Sequence, residues 1–330
     1  MNYQDYKQIL MDELWEQKPQ EISEYQIKTI IKQNEKISDC VTPVYADGGN
    51  LAPILYLEQF YDPDYDTEKI KTLASQLTNH FLEAHRVQSH FDISQINPHT
   101  AQTHLTLRLY NRSLNPEIEQ TCAHIDCLDL MAVPRWIVGN TQEISSSFLV
   151  NRELQRTLLH MTDDEILQIA RANTMAQDYS IMGMNRLLRE KLKEVSDEVV
   201  SEVMPTDAAS EVMFVMTNGT GQFGATALLF PDELKKAAAE VGEPNFYVVP
   251  SSVHELVVIP CSRVDDPADL LFMMKSINAE QVAVQDRLGD GNVYRFDGQK
   301  LHICNSMEDV IKQSTPVEME DRHMSQRRTL

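Results

Sequence analysis

The sequence predicts an α+β protein: a helix-rich N-terminal part with mainly antiparallel strands, then a compact C-terminal αβ module in the order ββ-α-ββ-α-ββ. Three observations carry that expectation. From Glu211 to Cys304, strand-like and helix-like runs alternate at short intervals (EVMFVMT, FGATALLF, PDELKKAAAEVG, NFYVVPSS, VHELVVIP, DPADLLFMMKSINAEQV, NVYRFDG, QKLHICN). Their connections are hairpins or single short helices, which join antiparallel strands more readily than parallel ones. Upstream, long apolar stripes at a spacing near 3.6 residues mark amphipathic helices. At 330 residues the chain has length for two domains and a sizeable core. The expected division is residues 1–204, residues 205–312 and a polar, disordered tail at 313–330, with VMPTDAAS as the linker.

Taken in order, Tyr6, Ile9, Leu10 and Leu14 predict an opening helix over about Tyr3–Glu16, ended by Pro19. Ser23–Glu24–Tyr25–Gln26 fits a capping box and predicts a second helix carrying Ile27, Ile30 and Ile31. Asp47–Gly48–Gly49–Asn50 separates two extended runs, CVTPVYA and LAPILYL, as in a hairpin. A long helix capped near Asp66 follows, with Ile70, Leu73, Leu77, Phe81 and Ala84 on one face. HLTLRLYN, Leu128 to Val138 and Ser145 to Val150 read as strands. Thr162–Asp163–Asp164–Glu165 is another capping box, and a further helix is expected over about Ile181–Val200. Asp266–Pro267 supplies an N-cap and a proline at the first helical position, where its missing N–H is harmless.

Charge is the one extreme of composition. Fifty Asp and Glu against 29 Lys and Arg leave −21. Residues 1–200 hold 30 acids and 18 bases, and residues 201–330 hold 20 and 11, so both halves share the excess. Direct binding to a phosphate backbone needs clustered Lys and Arg, so it is not expected here. No apolar run approaches the ~20 residues that span a bilayer, and the acidic start MNYQDYKQILMDELWEQ is unlike a signal peptide. The five scattered cysteines suit a reducing, cytoplasmic setting better than a disulfide framework.

Several motifs imitate functional signatures. Gly219–Thr–Gly221–Gln–Phe–Gly224 is a literal GxGxxG, but Pro231 leaves no room for the helix that would aim at a pyrophosphate, so a β-hairpin turn and no cofactor are expected. Cys122, His124, Asp126 and Cys127 gather potential metal ligands without the second pair that completes a tetrahedron. Cys122, His124 and Cys127 therefore stand as metal candidates beside an expectation of no bound metal. His80, His85 and His90 advance about 500° per step around a helix and do not share a face. Asp286 to Asp297 imitates a calcium loop, with Leu288 at a ligand position. Pro250 to Glu255 places two hydroxyls, an imidazole and a carboxylate at one strand connection. Ser252, His254 and Glu255, with a distant carboxylate such as Asp297, are the catalytic candidates there.

The same stretch carries a resemblance. FGATALLFPDELKKAAAEVGEPNFYVVPSSVHELVVIP, Asn278–Ala–Glu280–Gln–Val–Ala and DGNVYRFDG, with PILYLEQFYD and SSSFLVNREL upstream, resemble an uncharacterised family of gut Firmicutes genomes and mobile elements, known only as a domain of unknown function. The similarity covers most of residues 40–300. A second uncharacterised bacterial family is more distantly similar in its strand–LLFP–helix–strand–PSS–strand order. The resemblance implies an α+β fold in a bacterial cytoplasm and brings no activity or catalytic residue. The functional expectation is a non-enzymatic interaction or accessory factor, linked to a mobile element or defence, with a protein partner, basic in character, and no membrane. The alternatives are a hydrolase built on Ser252, His254 and Glu255, and a nucleic-acid mimic that blocks a nucleic-acid-binding protein.

Overall fold

A computed structural model describes residues 1–31, 34, 37–49, 52–88, 93–140, 145–193, 211–289 and 291–314. The chain forms two compact units: Met1–Ile125 with Val133–Asn173, and Asp126–Ala132 with Thr174–Leu330. The expected linker at 203–210 lies outside the described residues, as do residues 315–330 of the expected tail. Gln313 and Ser314 close the last helix instead.

In unit 1, α1 (Tyr3–Glu16) starts at Asn2, whose side chain accepts from the Asp5 N–H, and it buries Tyr6, Leu10 and Leu14. The predicted second helix is not formed. Residues Ile22–Ile31 make β1, antiparallel to β2 (Ile37–Tyr45). ISEYQIKTII is rich in β-branched side chains, and β2 offers its backbone a partner, so tertiary pairing overrides the local capping pattern. Ser23 Oγ accordingly donates to the Val44 carbonyl at 3.0 Å. β3 (Leu55–Tyr56) pairs β2 on its other side, as the hairpin reading expects, although Asn50 of that turn lies outside the described residues.

The turn Leu57–Phe60 leads to α2 (Thr67–Gln88), which sets Ile70, Leu73, Leu77 and Phe81 against α1 and the sheet in one core. Each such buried side chain contributes roughly 1.5–3 kcal/mol. α3 (Pro98–His104) follows, capped by Asn97, then β4 (Leu105–Asn111), α4 (Pro116–Thr121), β5 (Ile125–Cys127), β6 (Leu130–Asn140) and β7 (Ser145–Leu149). Their sheet runs β4-β6-β5, with β7 antiparallel to β6. After α5 (Arg152–Leu154) the predicted capping box opens α6 (Asp163–Met175): Thr162 N–H donates to Glu165 at 2.8 Å, and Glu165 N–H returns to Thr162 Oγ1.

Unit 2 holds a six-stranded sheet in the order β13-β12-β10-β11-β9-β8, antiparallel throughout. β8 (Tyr179–Gly183) occupies the start of the predicted Ile181–Val200 helix and pairs with β9 (Phe214–Asn218), so the unit reaches upstream of residue 205. The helix proper, α7 (Met184–Lys193), is capped from a distance. The Glu211 carboxylate accepts from the Asn185 and Arg186 N–H groups at 3.0 and 3.1 Å, and Gly183 leaves it room. FGATALLF is not the predicted strand. Gly224–Leu229 is a 3-10 turn that runs into α8 (Pro231–Val241), so this stretch does not pair with β9.

β10 (Phe246–Val249) and β11 (Leu256–Pro260) are buried on both faces. Tyr247, Val249, Val257 and Ile259 meet Leu270 and Met274 of α9 (Pro267–Glu280), whose expected Asp266 cap accepts from the Ala268 N–H at 2.9 Å. β12 (Tyr294–Phe296), β13 (Leu301–Ile303) and α10 (Met307–Ser314) complete the unit. No helix among the described residues is long and apolar enough to cross a membrane.

Candidate functional site

The Pro250–Glu255 connection is tied down on every side. Val253 N–H donates to the Asp286 carbonyl at 2.8 Å, Leu288 N–H to Ser251, and Ser252 bridges Arg287. Thr217 Oγ1 donates to the His254 carbonyl at 2.8 Å. Gly224 is glycine because a Cβ there would collide with the Thr217 side chain, the His254 carbonyl and the Asn218 nitrogen. The glycines of the GxGxxG thus serve a turn and a close approach, but one that leads into a 3-10 helix instead of a hairpin strand.

Within this knot, Ser252 is buried and its Oγ accepts from the His254 backbone N–H at 3.0 Å. The His254 ring stacks on Phe223 at 5.9 Å. Its Nδ1 accepts from the Phe223 N–H at 3.5 Å, and its Nε2 lies 3.6 Å from Asp286 Oδ1. Glu255 is exposed. The carboxylate brought to His254 is therefore Asp286, a pairing that no local pattern gives, because it depends on a loop that follows α9. Asp297 serves its own turn. It accepts from the Gln299 and Lys300 N–H groups and from His302 Nε2 at 2.9, 2.7 and 2.8 Å. Burial pushes its pKa up, but these donors outweigh it and hold the carboxyl at about 2.

Cys122 and His124 belong to unit 1 and Cys127 to unit 2. Burial raises the Cys122 thiol, and burial with the nearby Asp129 pushes Cys127 up to about 12. His124 Nδ1 meets the Cys122 carbonyl at 3.3 Å. Among the described residues, no group of three or more His, Cys, Asp and Glu side chains is placed to hold a metal. His80 is exposed, His85 stacks on Tyr45 and pairs with Asp47 at 2.9 Å, and His90 lies outside the described residues. Asp290 of the calcium-like stretch is also outside them.

A different surface emerges in unit 1. α1 and the loop after Phe60 bring tyrosines together: Tyr61 meets Tyr3 edge-on at 5.3 Å and Tyr6 at 5.2 Å. Two carboxylates, Asp39 and Glu58, lie beside Tyr3. Tyr3 Oη donates to Asp39 at 3.5 Å, Lys7 Nζ pairs with Asp39 at 2.9 Å, and Glu58 accepts from the Asp39 N–H at 2.7 Å. Burial, with Glu58 and Asp39 adding to it, pushes the Tyr3 hydroxyl above its ordinary range. Asp62, Asp64 and Asp66 follow on the same loop, the latter two exposed. The alternating Tyr and Asp of YDPDYD is the sequence signal for this face, and helical periodicity alone does not detect it.

Fold and surface together define an antiparallel α+β protein with an acidic, tyrosine-bearing face. The chain matches the model of the family of unknown function DUF5688 over residues 3–298 and belongs to that family. No curated protein and no solved structure matches it significantly.

Proposed function

We propose that this chain is a non-enzymatic protein-interaction factor whose unit 1 presents the Tyr3–Tyr61 face to a lysine- or arginine-bearing segment of a protein partner. One observation carries the reading: a half-buried edge-to-face tyrosine pair with Asp39 and Glu58 beside it. A guanidinium stacks on aromatic faces while its N–H fork meets carboxylates, which is the complement of this surface. The net charge of −21 steers a basic partner towards the protein before any contact forms. A cytoplasmic setting, supported by five cysteines that are all free, and an accessory role beside a mobile element belong to the same reading.

The test is titration of the full chain with a short arginine-rich peptide at two salt concentrations. The triple variant Glu58→Gln, Asp62→Asn, Asp64→Asn is compared with a control neutralised at Asp232, Glu240 and Glu308 of unit 2. At about 0.5 kcal/mol per screened contact, the first triple loses about tenfold in affinity. Equal losses in both triples would mean that the peptide reads net charge alone, and the face would lose its role.

A further inference from the structure

β1 is the edge of its sheet: β2 lies on one side, and no described strand lies on the other. It is a long edge, Ile22–Ile31, and it keeps Ile27 43 % exposed. Natural edges of this length are covered, charged or paired.

Which backbone groups face outward follows from Pro43. Tyr25 lies opposite Pro43, which has no N–H, so this is a non-hydrogen-bonded pair of the β1–β2 ladder. Glu24, Gln26 and Lys28 then turn their N–H and C=O groups towards β2. Two contacts agree with that: Cys40 Sγ donates to the Lys28 carbonyl at 3.1 Å, and Ser23 Oγ reaches the Val44 carbonyl opposite Glu24. Tyr25, Ile27 and Thr29 point their backbone groups away from the sheet, ready to pair.

We infer that β1 pairs antiparallel with β1 of a second copy of this chain, about a two-fold axis at Gln26, joining two three-stranded sheets into one of six. The sequence of the edge selects this register. Centred on Gln26, Glu24 of each copy lies opposite Lys28 of the other, and Ile27 lies opposite Tyr25. The outward groups of Tyr25 and Ile27 then exchange hydrogen bonds. The Glu24–Lys28 pairs fall in the non-hydrogen-bonded positions, where side chains approach most closely. A register centred on Lys28 would set like charges against each other. One centred on Ile27 would leave the two charges unmatched. The side chains of Glu24 and Lys28 are exposed and Gln26 half-buried, so all three are open to a partner.

The experiment is sedimentation equilibrium of the full chain over a concentration series. Physiological ionic strength limits the repulsion between two copies of charge −21 to about 8 Å. The wild type dimerises. Lys28→Glu and Glu24→Lys each weaken dimerisation about tenfold or more, because two attractive cross-strand pairs become two repulsive ones. The double variant Glu24→Lys, Lys28→Glu restores it, since the exchange recreates both pairs. Circular dichroism verifies that each variant is folded. A chain monomeric at every concentration overturns the inference. So does a dimer indifferent to the single reversals, or a double variant that stays as weak as the singles.

Discussion

Replacing Tyr294 by Phe removes one oxygen and leaves a fully buried ring in place, so it isolates a single bond. Tyr294 Oη donates to Asp129 Oδ1 at 2.6 Å, and Asn292 Nδ2 donates to Asp129 Oδ2 at 2.8 Å. Both hold the excursion Asp126–Ala132 to the six-stranded sheet within unit 2. A hydrogen bond to a charged acceptor contributes about 1.5–3 kcal/mol. Asp129 is only half-buried and regains water when the hydroxyl goes, which places Tyr294→Phe near the lower end, about 1.5 kcal/mol. Asp129→Ala costs more, because it strands the buried Tyr294 hydroxyl and also loses Asn292. The double variant costs less than Asp129→Ala alone, because no hydroxyl is left stranded, so the coupling exceeds the loss of about 1.5 kcal/mol from Tyr294→Phe. For a unit of this size the Tyr294→Phe loss corresponds to a fall of about 3–6 °C in the transition that reports unit 2. Scanning calorimetry of the wild type, both single variants and the double variant measures it. A Tyr294→Phe shift below about 1 °C, or strict additivity of the two singles, would mean that the Tyr294–Asp129 bond contributes nothing to unit 2.

Three further outcomes follow from the same geometry. The Asp297 carboxyl is held at about 2, below its ordinary value, so the stability it contributes is complete above about pH 4 and is lost as pH falls towards 2; Asp297→Asn should lower Tm at pH 6 and leave it nearly unchanged at pH 2, and an equal loss at both would contradict the assignment. Gly224→Ala forces a Cβ against the Thr217 side chain and two backbone atoms, and should destabilise unit 2 by about 1–3 kcal/mol in urea titration, whereas Gly221→Ala meets no neighbour and is limited to the strain of its positive φ. The half-buried Cys127 thiol, pushed up to about 12, should resist iodoacetamide at pH 8 in the native state and react on unfolding; rapid native labelling detected by mass spectrometry would contradict that upward shift.

Much of the fold is legible where local and tertiary preferences agree. The α2 stripe, the Thr162–Glu165 capping box, the Asp266 cap and the β10–β11 hairpin form where their patterns stand. Legibility fails where a distant segment decides. Ser23–Ile31 carries a helix-start pattern and a strand-forming composition, and only the presence of β2 settles the competition. Ile181–Gly183 is extended because β9 lies beside it, and the following helix takes its cap from Glu211, across a stretch no local motif spans. FGATALLF has the apolar content of a strand, but the room for Gly224 against Thr217 and His254 bends it into a 3-10 turn. The candidate site shows the same division. Ser252, His254 and Glu255 are neighbours in sequence but do not converge: Ser252 Oγ meets the His254 backbone, and the ring turns to Asp286. The tyrosine face is hidden from helical and strand periodicity because its members come from α1, β2 and a loop.

The proposal that unit 1 reads basic segments through its tyrosine face is tested most directly by hydrogen–deuterium exchange of the full chain with and without the arginine-rich peptide. New protection is expected over residues 1–8 and 57–66, where Tyr3, Glu58, Tyr61 and Asp62 lie, with α8 and α10 unchanged. Protection spread over both units, or confined to unit 2, would contradict it.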